Sequence, residues 1–320
     1  MLFKSKYENT SYAKTDTRRI TQGRNKDLKM RKQFVKSMKD ILYSDTSSVL
    51  LLGDIGVFGF RDELKNIPNR AYNIGILEQS TLSLAAGMAR GGLIPFIHTI
   101  APFMVERALE QIKVDFGYQE LNGNFISVGA SYDYAGLGCT HHCPGDIQAL
   151  MSIPNVNIFV PGSSEEFDRL LKHFYKKSAP KYFRLSEHEN YHTFNCHPGN
   201  ATVLKNGTSA TVLVYGPMCD NVIKACENLD VCILYYNSII PFDAHTLQNN
   251  FNDKIIICEP FYCGSTNYLI NDALIGNKYS IFNIGVPRRF LHNYGDKKQH
   301  DHHLMLDVDG IRKRIEECLI

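Results

Sequence analysis

Apolar residues along this chain alternate between two spacings. Met30, Phe34, Met38 and Ile41 fall on one face of a 3.6-residue repeat, which predicts an amphipathic helix over 30–42. The run 48–52 is almost wholly apolar and ends at Gly53-Asp54, as a parallel strand buried on both faces would. A small-residue helix follows the stretch 74–79, with Ala85, Ala86, Gly87 and Ala89 leaving room for close packing and Gly91-Gly92 supplying the stop. Residues 93–98 predict a strand, and Pro95 marks its start or a sheet edge. A helix over 101–116 carries Met104, Ala108 and Ile112 on one side, and a strand is expected at 124–128. A loop rich in glycine and aromatic residues spans 129–145. Then come a helix from 146, a strand at 156–160, a helix capped by Ser163 and running to Tyr175, and a strand at 181–185.

Residues 187–200 have no period and carry Pro198 and Gly199, so they read as a linker. The alternation restarts with strands at 210–214, 231–235 and 254–258 and a helix around 222–229. Strands alternating with helices predict an α/β chain of two doubly wound domains, 30–186 and 201–320, preceded by an arm over 1–29. A total of 320 residues is enough for two such cores.

Charge changes the picture in one place. The chain is nearly neutral at +2, yet residues 1–32 hold ten Lys or Arg against Glu8, Asp16 and Asp27. A basic arm can touch nucleic acid; its aperiodic charges and tyrosines favour a tail that moves or covers a partner instead. Nine unpaired-looking cysteines and the lack of any membrane-length apolar run point to a reducing cytoplasm and to no membrane span. Cys139, His141, His142 and Cys143 cluster in sequence, as do His300, His302 and His303. Neither has the double-pair spacing of a structural zinc site, so no metal is assigned to them.

Glu78 is the first candidate for chemistry. A carboxylate at the start of a tightly packed apolar helix is either solvated there or held where its proton matters. Asp54 ends a buried strand, where open α/β sheets place their ligands. Phe103 on a helix is either core or a stacking face, and His141 on a loop is either surface or a proton carrier.

The order of motifs bears on these alternatives without closing them. Asn73-Ile-Gly-Ile-Leu-Glu78-Gln79, then Phe103 with Arg107-Ala108 and Gln111-Ile112, resembles the transketolase and deoxyxylulose-phosphate synthase group of thiamine diphosphate enzymes. Gly138-Cys-Thr-His141 with Asp146 and Ile153-Pro154 is similar to its next segment, and Pro180–Leu185 resembles the end of its pyrimidine-binding domain. Gly216-Pro-Met218, Ile240-Pro-Phe-Asp243, Glu259 and Gly285–Phe290 resemble its C-terminal domain. The resemblance implies a thiamine-diphosphate-binding fold plus a transketolase C-terminal-like domain. It implies that Glu78 bonds the cofactor's aminopyrimidine and promotes its basic imino tautomer, that Phe103 stacks on that ring, and that Asp54 and Arg107 belong to the cofactor site. His141 is implied as a catalytic, substrate-binding group and Arg31 as a phosphate-binding one.

Departures qualify the implied substrate. Leu137 stands where the group commonly has an acid that binds a sugar hydroxyl, and Glu187 stands where it has a phosphate-binding arginine. Either the donor is not a conventional ketose phosphate, or Arg184 or a partner supplies the cation. No Gly-Asp-Gly…Asn motif for the diphosphate and Mg²⁺ occurs in the sequence. The expectation is therefore one subunit of a split transketolase-like transferase, a heterotetramer of two chains of each kind, with Mg²⁺ held mainly by the partner. The alternatives are a subunit that decarboxylates a 2-oxo acid, as in synthases and dehydrogenases, and a non-catalytic paralogue kept for assembly.

Overall fold

The computed structural model describes residues 29–320 and the backbone of Ile20–Thr21. The expected arm, 1–29, thus lies outside the described residues apart from Lys29 and that two-residue strand, which pairs antiparallel with Thr193–Phe194. At Ile20–Thr21 the backbone is tied to the body.

Seven strands form the first sheet, in the spatial order Ser238–Ile240, Asn157–Phe159, Pro180–Arg184, Gly123–Val128, Ile94–Ile100, Ser48–Leu52 and Ala71–Asn73. Every pairing is parallel except that of Ser238–Ile240 with Asn157–Phe159. The central strands are apolar because both faces are covered. On one side the helices Met30–Ser44 and Ser164–Phe174 pack Phe34, Met38 and Phe167 against Leu50, Phe96 and Phe183. On the other, helix Glu78–Arg90 brings Leu82, Ala85 and Ala86 against Leu51, Ile97 and Phe125. Ser163 caps its helix by accepting the Glu166 N–H. Strand Ile94–Ile100 is interior, so Pro95 marks its start and not an edge.

A second sheet of five strands runs Ser280–Val286, Lys254–Tyr262, Ala210–Tyr215, Val231–Tyr236 and Thr202–Lys205. The first four are parallel and the last is an antiparallel edge.

Two expectations change on folding. The helix over 101–116 is interrupted: Ala101–Val105 is followed by a turn, a short helical stretch at Leu109–Gln111 and a π-helical segment at Ile112–Gly117. Ala108 leaves helical geometry, with φ −124° and ψ 25°. Arg107 sits in that interruption. The aperiodic segment 187–200, in turn, is no free linker. Asn190 Nδ2 donates to the Gly216 carbonyl at 3.0 Å, and buried Phe194 lies 4.9 Å from the Tyr235 ring. A single apolar cluster holds Ile158 and Tyr182 of the first sheet together with Leu213, Tyr215 and Leu234 of the second. Among the described residues, no helix is long and apolar enough to cross a membrane.

Candidate active site

The site lies at the carboxyl ends of the first sheet's strands, where such sheets leave a crevice. Gly75 turns the chain at φ 86°, and helix Glu78–Arg90 opens with Glu78 itself. The Glu78 side chain is only 3% exposed. Its Oε2 accepts a hydrogen bond from Arg107 Nη1 at 2.6 Å, and Oε1 faces the Thr99 hydroxyl at 3.4 Å. Thr99 fits because Gly53 lacks a side chain; a Cβ there would lie 2.9 Å from Thr99 Oγ1.

Arg107 reaches Glu78 by crossing Phe103. Its Cζ stands 4.2 Å above the centre of the Phe103 ring. The His141 ring meets Phe103 edge-on at 5.3 Å, and Tyr134 meets His141 edge-on at 6.4 Å. Thr140 Oγ1 lies 3.0 Å from His141 Nδ1 and helps fix the imidazole. Four of the sequence-derived candidates, Glu78, Phe103, Arg107 and His141, therefore form one contiguous group.

Asp54 and Arg31 stand apart from it. Asp54 holds φ 59° at the strand end; its N–H donates to Asn73 Oδ1 and its Oδ1 accepts from Asn73 Nδ2, both at 3.1 Å. Gly53 and Thr99 link it to Glu78. Arg31 lines a groove of about 340 Å³ with Lys29, Lys32, Gly56, Phe58 and Glu187. Glu187 does not stand there unpaired: Lys29 Nζ is 3.6 Å from Oε2, and the Tyr134 hydroxyl donates to Oε1 at 3.4 Å. Burial, and then the Glu187 charge, pushes the Tyr134 hydroxyl pKa up to about 12. Leu137 is 57% exposed on a short turn.

Arg184 does not supply the missing cation. It is buried, its Nε donates to Asp146 Oδ2 at 2.7 Å and its Nη2 to Ser131 Oγ at 2.9 Å. Tyr182 also donates to Asp146 Oδ2, at 2.9 Å, which completes a closed internal network. The histidine-rich segments meet without forming a metal site. His141 turns to Phe103 while His142 packs 5.9 Å from His300, and among the described residues no group of three or more His, Cys, Asp or Glu side chains is placed to hold a metal.

Sequence reasoning assigns no role to Tyr134, and to Asn73 none beyond its place in the motif that carries Glu78, which is the signal that could have found it. Tyr134 sits in a loop with several aromatic residues, and only folding places its ring between His141 and Glu187. A buried carboxylate beside a flat aromatic face, with an imidazole at the ring's edge, suits a planar nitrogen heterocycle: the ring stacks and the acid shares a proton with a ring nitrogen. These residues fit the pyrimidine half of thiamine diphosphate.

The description "Transketolase, pyrimidine binding domain" matches residues 26–192. The chain is 35% identical, over 89% of its length and 93% of the other, to an "Uncharacterized 33.6 kDa protein in fasciation locus" of Rhodococcoides fascians. It is 29% identical to one subunit of an apulose-4-phosphate transketolase of Actinobacillus succinogenes, over 78% of this chain and 84% of that one. Against "1-deoxy-D-xylulose-5-phosphate synthase" of Aromatoleum aromaticum it is 27% identical over 77% of its own length but 41% of the other. Its fold matches a structure described as "Split gene transketolase, inactive beta4 tetramer", with a TM-score of 0.78, 22% identity and coverage of 91% of this chain and 97% of that one. It also matches a Campylobacter jejuni transketolase, with a TM-score of 0.73 at 16% identity, over 91% of this chain and 47% of that one. The chain belongs to the transketolase family and carries that family's pyrimidine-binding domain.

Proposed function

We propose that this chain is the catalytic-glutamate subunit of a split, thiamine-diphosphate-dependent transketolase-like transferase. It moves a two-carbon ketol unit from a ketose to an aldehyde. The observation that carries this reading is the Glu78 carboxylate, 3% exposed and joined through Arg107 to the Phe103 ring, which His141 meets at 5.3 Å. Bound cofactor would supply an electron sink for the carbanion of the transferred two-carbon unit. Glu78 holds a proton at the pyrimidine nitrogen, Phe103 and Arg107 border that ring, Asp54 flanks it, and His141 orients substrate hydroxyls and exchanges protons.

The diphosphate and Mg²⁺ fall to a partner chain, in a heterotetramer of two chains of each kind. Relatives named as single subunits of a transketolase, and the structure named an inactive beta4 tetramer, support a divided enzyme. Arg31 serves the far end of a sugar or sugar-phosphate donor, and Lys29 offsets Glu187 in the same groove. The cysteines are all free thiols, in keeping with a cytoplasmic setting.

The test is co-purification with a chain that carries the Gly-Asp-Gly…Asn motif, followed by ketol transfer from a ketose donor, with xylulose 5-phosphate and an unphosphorylated ketose compared. The complex should turn over and either chain alone should not. Glu78→Gln in the complex should lower turnover by about two to four orders of magnitude with the fold intact, as expected for a lost acid–base group. Unchanged turnover in that variant would remove Glu78, and with it the reading.

A further inference from the structure

Arg107 occupies both features that an aminopyrimidine would use. Its guanidinium lies 4.2 Å over Phe103, and its Nη1 donates to Glu78 Oε2 at 2.6 Å. A guanidinium is flat, carries N–H donors in its plane and stacks on aromatic faces, so in shape and donor pattern it resembles a protonated aminopyrimidine. We propose that Arg107 is an internal latch. In the partner-free chain it stands in for the cofactor's pyrimidine ring, covering Phe103 and holding Glu78 as an ion pair, and it must swing to the border of the site before that ring can bind. The proposal rests on the reading of this site as a thiamine diphosphate site.

The geometry favours a movable group. Glu78 is fixed: it opens helix Glu78–Arg90, is 3% exposed and faces Thr99 as well. Arg107 is the mobile half. Its side chain is 41% exposed, and it stands in the interruption between Ala101–Val105 and Leu109–Gln111, where the backbone is not held in a continuous helix. The guanidinium blocks both contacts at once. Removing it uncovers the face of Phe103 and leaves Glu78 Oε2 open to a ring nitrogen. The latch therefore opposes pyrimidine binding twice, by occupying the stacking face and by occupying the carboxylate.

The experiment uses the purified full chain without a partner and thiamine, which has the pyrimidine but no diphosphate. Calorimetric titration compares the wild type, Arg107→Ala and Arg107→Met, with circular dichroism and melting curves to establish folding; Met keeps an apolar stem where Ala leaves none. Arg107→Ala should bind thiamine at least tenfold more tightly than the wild type, and adding Glu78→Gln to it should abolish the gain. Equal or weaker binding by both folded Arg107 variants overturns the latch while leaving the cofactor reading in place. No detectable binding by any variant, together with no thiamine diphosphate binding by the assembled complex, overturns both.

Discussion

His98 is a fully buried imidazole. It stands on strand Ile94–Ile100 with Nδ1 2.9 Å from the Ile126 carbonyl oxygen, its ring 4.4 Å from Phe34, and its Nε2 buried without a hydrogen-bond partner among the described residues. Burial, reinforced by the Arg31 charge, holds its pKa down at about 3, against an ordinary 6.5. Between these two values the unfolded chain binds a proton that the folded chain refuses. Stability contributed at this position is therefore present above pH 6.5 and is lost as pH falls toward 3. His98→Leu removes the titration, so its unfolding free energy should fall less steeply from pH 6.5 to 4 than that of the wild type. The comparison is of slopes, because the lost bond to Ile126 shifts both ends alike. Parallel denaturation curves across that range would show that His98 does not refuse the proton. At this scale the sequence was most informative where residues lie in ordered motifs. Glu78, Phe103, Arg107 and His141 were legible because their motifs occur in one order. His98 was not, since a histidine in an apolar run looks the same whether its ring is paired or orphaned.

The loop 129–145 brings His141 to Phe103, and its shape depends on Gly138. That residue has φ 74°, and a Cβ on it would sit 3.1 Å from the Tyr294 ring, which the second sheet's half of the chain supplies. Tyr132 at the loop's start donates to Asp301 Oδ1 at 2.6 Å, and Lys297 pairs with Asp301 at 2.6 Å. The loop is thus braced from the other half at two points. Gly138→Ala combines left-handed backbone strain with a tight contact, and should cost about 1–3 kcal/mol of stability. Urea denaturation checks this, and a change of less than about 0.5 kcal/mol, the usual range for a neutral surface substitution, would mean that Tyr294 yields freely. Elements that bury one long apolar face were readable in advance, among them Met30–Ser44 and Ser164–Phe174. Short strands such as Ala71–Asn73 and Ser238–Ile240 were not, because so short a run carries too little pattern and its pairing is decided by distant neighbours. The break at Arg107 was hidden for a similar reason: apolar spacing survives an interruption that matters only once Glu78 is near.

For the whole molecule, two alternating halves suggested two domains joined by a linker, and the contacts between them argue for one cooperative unit. Ser238–Ile240 crosses over to become the edge strand of the first sheet, and Val160 N–H donates to the Asn237 carbonyl at 2.8 Å. Tyr235 donates its hydroxyl to Glu166, a carboxyl buried among first-sheet elements, at 2.5 Å. Gly216 and Gly162 are close-packed at the same seam, where a Cβ on the first would meet Val160 at 2.6 Å and one on the second would run into the Tyr235 hydroxyl. Chains with separate cores commonly melt in steps. Here, melting the second half would strip an edge strand from the first and expose part of a shared apolar cluster, so neither half has a stable state of its own to populate. Scanning calorimetry at fixed protein concentration should give one transition, with calorimetric and van't Hoff enthalpies in agreement. A fragment covering 29–200 should expose the edge at Asn157–Phe159 and aggregate. Two resolved transitions, or a soluble fragment with native near-ultraviolet dichroism, would mean that the segment 187–200 joins independent domains, as its lack of period suggests.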